Sequence, residues 1–273
     1  MIVGCEVVLD PVINGTLTYQ MSWRWIMVVN AVVSVVVLLM TPRFLPGGGP
    51  STSVRPSFDR LLRSRNFISA TAVSTLTYVA FGMIFFTLAF DHHTGCSLTA
   101  RDIGLSFAAY GAFRVVLSPA AGVLADRVGV RTPLLIGLEL MFVSMVAFAI
   151  SHSLNHVVAT TVALAVSGAG VALFAPAANS AAFGHVHVED RSDASALFWT
   201  LRLIGSAVGV AIAVSMLVMI SGTTKPEFGV NAGYGDAAVW IWVVGAVISL
   251  IAVVITLVGI RTSTSTEDSV AIS

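Results

Sequence analysis

Charge is what this chain lacks most. Of its 273 residues only 10% are Asp, Glu, Lys or Arg, while 56% are hydrophobic and the mean hydropathy is +0.92. Ordinary soluble domains carry about 25% charge. So little charge cannot cover a globule with polar surface, and the apolar surface must face lipid instead. Lysine is nearly missing, with Lys225 alone, and the formal net charge is zero. That balance offers no basic field for a nucleic-acid partner. Cysteine is scarce: Cys5 and Cys96 stand far apart, without a second Cys or His at ligand spacing. A zinc site is therefore not expected, and a disulfide is neither excluded nor required. No nucleophile elbow, Walker loop or dinucleotide fingerprint is present, so an enzyme or a cofactor finds no support. A basic leader is lacking too. Residues 2–9 are mostly apolar but are interrupted by Glu6 and ended by Asp10-Pro11. They read neither as a cleaved signal peptide nor as a span, which needs roughly 20 residues.

What is present is a series of long apolar runs. Spans are expected at 25–41, 67–90, 103–125, 133–151, 157–183, 196–221 and 237–260. In lipid a spanning backbone must satisfy its own hydrogen bonds, so these are helices. That includes residues 27–37, whose β-branched richness would favour a strand in water.

Arginine placement gives an orientation. Arg43, Arg55, Arg60, Arg63 and Arg65 crowd the linker 42–66, Arg127 and Arg131 the loop 126–132, Arg191 the loop 184–195, and Arg261 follows the last span. Alternating spans put all of these on one side, and the positive-inside rule makes that side cytoplasmic, with the carboxyl terminus. Trp23, Trp25, Trp240 and Trp242 then fall at the outer interface. The linker's Pro and Gly forbid continuous helix in its first half. Its residues 57–65 form a candidate amphipathic helix on the inner leaflet. The Ser/Thr-rich stretch 262–273 reads as a solvated tail.

The strongest local pattern is Gly122-Val123-Leu124-Ala125-Asp126-Arg127-Val128-Gly129-Val130-Arg131. Gly122 would let a neighbouring helix approach closely. Asp126 ends one helix where it can pair with Arg131 or face a helix amino terminus. Gly129 supplies a tight turn. Pro133 falls in the first turn of the next helix, where its missing N–H costs little. This pattern resembles the G-x-L-a-D-R-x-G-x-R loop of the major facilitator superfamily. Ser22-Trp23-Arg24-Trp25-Ile26-Met27-Val28-Val29-Asn30 is similar to the opening of the sixth helix in its drug:proton antiporters, the fourteen-helix branch especially. Thr200-Leu201-Arg202-Leu203-Ile204-Gly205-Ser206-Ala207-Val208-Gly209 is similar to the run opening their penultimate helix, and Phe174-Ala175-Pro176-Ala177-Ala178-Asn179 takes the place of a Pro-containing segment before it.

The resemblance covers residues from about 22 to 260 and implies an all-α integral membrane fold. It divides the chain into an outer-side remnant 1–24, a single transmembrane helix 25–41, a cytoplasmic linker 42–66, a six-helix carboxyl-terminal half 67–260 and a cytoplasmic tail 261–273. The amino-terminal helices of such proteins have no counterpart, which a truncated reading frame or an internal start codon would explain. The implied function is proton-coupled efflux of small hydrophobic or cationic compounds across the plasma membrane. It would require a partner half, supplied as a separate polypeptide or by a second copy. The alternative is a non-transporting fragment or a membrane assembly subunit.

Within the spans, Arg114 and Glu139 lie on consecutive antiparallel helices and differ in depth by about four residues, or about 6 Å. They form a candidate ion pair on the substrate path, or a structural pair. Arg202 near the inner end of its span is either a gate group reaching Asp126 or the 184–195 loop, or an interfacial anchor. Gly205 and Gly209 read as helix packing. Pro176, with Gly168 and Gly170 before it, marks a kink that either shapes a cavity or is absorbed by the bundle, and Asn179 and Ser180 either line that cavity or satisfy freed carbonyls. Asp91, His92 and His93, like His185, His187, Glu189 and Asp190, read as solvated loops.

Overall fold

The computed structural model describes residues 23–44, 58–94, 100–153, 157–184, 186–221 and 233–259. The expected remnant up to Ser22, most of the linker, both cysteines, His185 and the tail lie outside the described residues, as do the side chains of Trp23, Trp25, Asp91, His92, His93 and Asp126.

Every described element is helical. In chain order they are α1 (Trp23–Phe44), α2 (Phe58–Arg63), α3 (Arg65–Thr94), α4 (Ala100–Val128), α5 (Arg131–Ser153), α6 (Val157–Phe183), a 3-10 turn (Val188–Asp190), α7 (Arg191–Ser221) and α8 (Gly233–Gly259). The valine-rich run of the first span is helix, as lipid demands. Six stretches are long and apolar enough to cross a membrane: Arg65–Leu88, Phe107–Ala125, Arg131–Ser151, Val158–Phe183, Val188–Ile220 and Ala237–Gly259. Some buried hydroxyls return to their own helices, as with Thr77 donating to the Val73 carbonyl and Thr256 to that of Ala252, which satisfies them without water.

Local chemistry sets the breaks. Ser64 separates α2 from α3, and its hydroxyl accepts from the Phe67 N–H at 3.5 Å, a long cap on the new helix. Gly129, at φ +82°, makes the turn between α4 and α5, a conformation that L side chains rarely adopt. Pro119 and Pro176 lie within α4 and α6, and neither divides its helix. The carbonyl four residues before each loses its helical partner.

The bundle is centred on α3 and α6, each with 61% of its span buried. Helix α7 packs along α3 and α4 along α6, while α5 and α8 pack on each other and close the back, α5 against α6 and α8 against α3. Helices α4 and α5, consecutive in the chain, meet only briefly because α6 lies between them. One core cluster fills the arginine-bearing end around Phe67, Leu134, Phe174 and Phe198, and another fills the far half around Ile84, Tyr110, Met141 and Trp242. Trp242 is thus a core residue, stacked on Phe148 at 4.8 Å and 1% exposed, which corrects its expected place at the interface; Trp240 is exposed. Helix α1 stands apart, with Met27–Met40 exposed along its length.

Two glycine positions behave oppositely. A Cβ at Gly205 would stand 2.6 Å from the Thr75 carbonyl oxygen, and one at Gly209 would collide with the Val79 carbonyl. Helices α3 and α7 therefore touch backbone to backbone, as expected of the G-x-x-x-G spacing. Gly122 corrects the expectation made for it, since a Cβ there would meet nothing within 4 Å. No described helix packs on it. Gly209→Leu should destabilise the chain by about 1–3 kcal/mol or abolish a monodisperse species. Gly122→Ala should leave the thermal melt in detergent unchanged. Equal melts for the two variants would refute the α3–α7 contact.

Candidate functional site

An aromatic ladder runs along one face of α3. Tyr78, Phe81 and Phe85 succeed one another at helical spacing, with ring centroids 5.8 and 4.3 Å apart. From α4, Phe107 lies 4.9 Å from Phe85, and Tyr110 lies 5.6 Å from Phe85 and 5.8 Å from Phe81. These separations are those at which aromatic rings attract beyond simple burial. The Tyr110 hydroxyl is buried without a well-formed hydrogen bond, and its electrostatic neighbour is Arg114, one turn further along α4.

At the Tyr78 end of the ladder sits Arg202. It lies eleven residues beyond Arg191, the start of α7, about 16 Å along the helix. The side chain is 1% exposed. Its guanidinium carbon lies 4.0 Å from the Phe198 ring centre and 5.0 Å from those of Tyr78 and Trp199. One terminal nitrogen donates a long hydrogen bond, 3.4 Å, to the Ser74 hydroxyl, and the buried Nε has no partner. Arg202 is therefore not the interfacial anchor of one expectation, and the Asp126 side chain named in the other lies outside the described residues. Arg202 does not reach the 184–195 loop, and it does not snorkel. A lone arginine at mid-helix costs about 2.5–3.5 kcal/mol on insertion scales. A desolvated cation–π contact returns up to about 2 kcal/mol. Three rings can offset the charge, but they leave most of the guanidinium donors unused.

The expected Arg114–Glu139 pair is not formed. Arg60 and Asp190, in contrast, do form an ion pair. Arg114 is half-buried. Glu139 is exposed, in a stripe of α5 with Ile136, Val143 and Val146 that faces away from the bundle. Glu139 turns away from the bundle, and α6 lies between the two helices.

On α6, Pro176 and Asn179 are partly buried, and the Asn179 Oδ1 is enclosed without a hydrogen-bond donor. Being an acceptor, that oxygen cannot satisfy the carbonyl that Pro176 frees, so it is available to a donor from elsewhere.

The arginine-bearing end is a braced floor. Arg131 Nη2 donates to the Leu257 carbonyl at 2.8 Å and Arg65 Nη2 to that of Val258 at 3.2 Å. Both close the last carbonyls of α8, where positive charge is favoured. Arg131 therefore serves α8, while Arg127 is exposed. Helix α2 docks on the bundle instead of only lying on a leaflet: Leu61 is buried in the core beside Phe67, and Arg60 Nη1 donates to Asp190 Oδ2 at 3.0 Å. Asp190 was expected in a solvated loop, but its side chain is 4% exposed. The sequence signal was available in the crowd of arginines facing one loop, though it could not say which acid each would find. No group of three metal-ligating side chains occurs among the described residues.

The chain matches the Major Facilitator Superfamily family model over residues 1–210 and again over 67–271. It is similar to multidrug resistance protein Stp of Mycobacterium tuberculosis, with 29% identity over 178 residues, 64% of this chain and 33% of that protein. It is also similar to quinolone resistance protein NorA of Staphylococcus aureus, with 40% identity over 58 residues, 21% of this chain and 15% of that protein. The matched stretch thus spans about a third of the length of the first relative and less of the second.

Removing Arg60 strands a buried carboxylate, which costs more than a surface pair is worth. Arg60→Ala should lower unfolding stability by about 1–3 kcal/mol. In an Asp190→Asn background the same change should cost much less. Equal costs in both backgrounds, read from thermal melts, would show that the two side chains are not coupled.

Proposed function

The chain belongs to the major facilitator superfamily, and from that premise we propose that it acts as the carboxyl-terminal half of an efflux transporter. It is a multi-pass membrane protein with six membrane-crossing helices among its described residues, and its relatives carry the names of multidrug and quinolone resistance proteins. Transporters of this kind rock two halves around a midplane site.

The observation that carries the reading is the uneven burial of the bundle. Helices α4 and α7 have only 22% of their spans buried, against 61% for α3 and α6. Both flank the ladder-bearing core, α7 chiefly on α3 and α4 chiefly on α6. They present wide apolar faces, with Phe113, Val116 and Val123 on α4 and Leu203, Ile204 and Val208 on α7. Gly122, open to within 4 Å, lies on the α4 side of that surface. We assign these faces to contact with a partner half, supplied as a separate polypeptide or by a second copy. The braced arginine floor is assigned to the cytoplasmic side, by the positive-inside rule. The cargo is small and hydrophobic, and the ladder of Tyr78, Phe81, Phe85 and Tyr110 is the surface against which it moves. A proton gradient drives export, with coupling groups contributed by the partner half as well as by this one.

The reading is tested in liposomes bearing a pH gradient and loaded with a lipophilic fluorescent dye. The purified chain alone should give no gradient-driven flux. Co-reconstitution with a six-helix amino half of a related transporter should restore it. Flux from the chain alone, as a monomer, would overturn the need for a partner. Absence of flux in both arms would overturn transport.

A further inference from the structure

Positive charge is the unbalanced quantity in the membrane part of this chain. Arg202 and Arg114 both lie within membrane-crossing helices, and neither has an ion-pair partner among the described residues. Glu139 faces outward on α5, and Asp190 is engaged by Arg60 at the arginine-bearing end. A buried cation without a counter-charge calls for an anion. The rings of Tyr78, Phe198 and Trp199 receive the cation of Arg202 without using its N–H groups, and its Nε is buried with no acceptor. A guanidinium in that state keeps the in-plane donor edge that pairs with a planar carboxylate.

We propose that Arg202, assisted by Arg114, receives the carboxylate of an aromatic substrate whose rings lie against the Tyr78–Phe81–Phe85 ladder. The proposal rests on the transport reading and narrows its cargo to aromatic anions, in place of the cationic compounds that the family resemblance implied. The ladder begins where the cation sits: Tyr78 is at once its first ring, 5.8 Å from Phe81, and one of the rings on Arg202. A substrate with a charged end and an aromatic body therefore finds both complements side by side. The Tyr110 hydroxyl, buried without a well-formed hydrogen bond beside Phe81, adds a neutral donor and acceptor partway along. Trp199, 48% exposed, forms the cover that moves to admit the anion. A carboxylate supplied by a second protein chain would answer the same chemistry, and the experiment separates the two sources.

The full chain is placed in nanodiscs of zwitterionic lipid and titrated with naphthoate, its methyl ester and naphthylmethylammonium, with empty discs correcting for partition. Naphthoate should bind about tenfold or more tightly than either neutral or cationic probe, the margin of a charge-assisted hydrogen-bonded pair. Arg202→Gln should remove that preference while leaving ester binding intact, Arg202→Lys should retain part of it, and Arg114→Gln should reduce it. The proposal is overturned by equal affinity for acid and ester, by preference for the ammonium probe, or by full acid preference in Arg202→Gln. It is also overturned if wild type shows no acid preference while Arg202→Gln lowers the fraction of dimer, because the carboxylate then comes from a second chain. Should Arg202→Gln not yield a monodisperse species, the wild-type probe comparison and the half-exposed Arg114→Gln variant decide the matter. Binding needs no flux, so acid preference without dye transport in the liposome arms would sink the transport reading alone.

Discussion

Lipid gives the helices of this chain no hydrophobic reason to find one another, because acyl chains are as apolar as leucine. What holds them is contact between backbones, and the joint of α3 with α7 shows it. Gly205 and Gly209 bring α7 onto the Thr75 and Val79 carbonyls, and Gly82 brings α3 onto that of Ser206. A similar approach sets Gly168 of α6 on the Tyr110 carbonyl of α4 and fits Gly137 of α5 against Gly170 of α6. The order of the bundle follows from where small residues fall, more than from which helices are neighbours in sequence.

Arginine plays two different parts in this frame. At the floor, Arg60, Arg65 and Arg131 tie ends together, on Asp190 and on the last carbonyls of α8. These are places where a helix end or a buried acid has acceptors to spare. Inside the span, Arg202 has one long hydrogen bond and three rings. The floor arginines reach a carboxylate or helix-end carbonyls through their terminal nitrogens, and Arg202 does not, although the Nε of Arg131 is buried without a partner like that of Arg202. That contrast separates a brace from a binding group more sharply than depth in the membrane does.

Much of this was legible from sequence. Charge-poor runs located the helices, since in lipid length and apolarity leave no other secondary structure. The turn at Gly129 followed from spacing alone, and so did the packing role of Gly205 and Gly209. The failures share a cause. Arg114 and Glu139 were paired by counting along the chain, which does not reveal that Glu139 faces outward or that α6 slips between α4 and α5. Arg202 read as an anchor near a helix end because nothing local announces that Ser74 and Tyr78, more than a hundred residues earlier, close over it. Asp190 looked like loop until α2 docked and Arg60 reached it. Gly122 looked like packing, and the chain itself brings nothing to it. In each case the missing knowledge was which helix stands beside which.

The burial of Arg202 and the closeness of α3 to α7 have one origin. Residues 202, 205 and 209 are spaced by three and four, so the guanidinium and both contact glycines lie on a single face of α7. That face meets Ser74, Thr75, Tyr78 and Val79 of α3. A seam with ordinary side chains at 205 and 209 would hold the helices farther apart, and an arginine is long enough to use such a gap to reach the interface. With glycine at both positions the gap closes above the arginine and keeps it among the rings. The tightest joint in the bundle is therefore also what holds a charge inside it, with hydrogen-bonding capacity that the rest of the described chain does not fill.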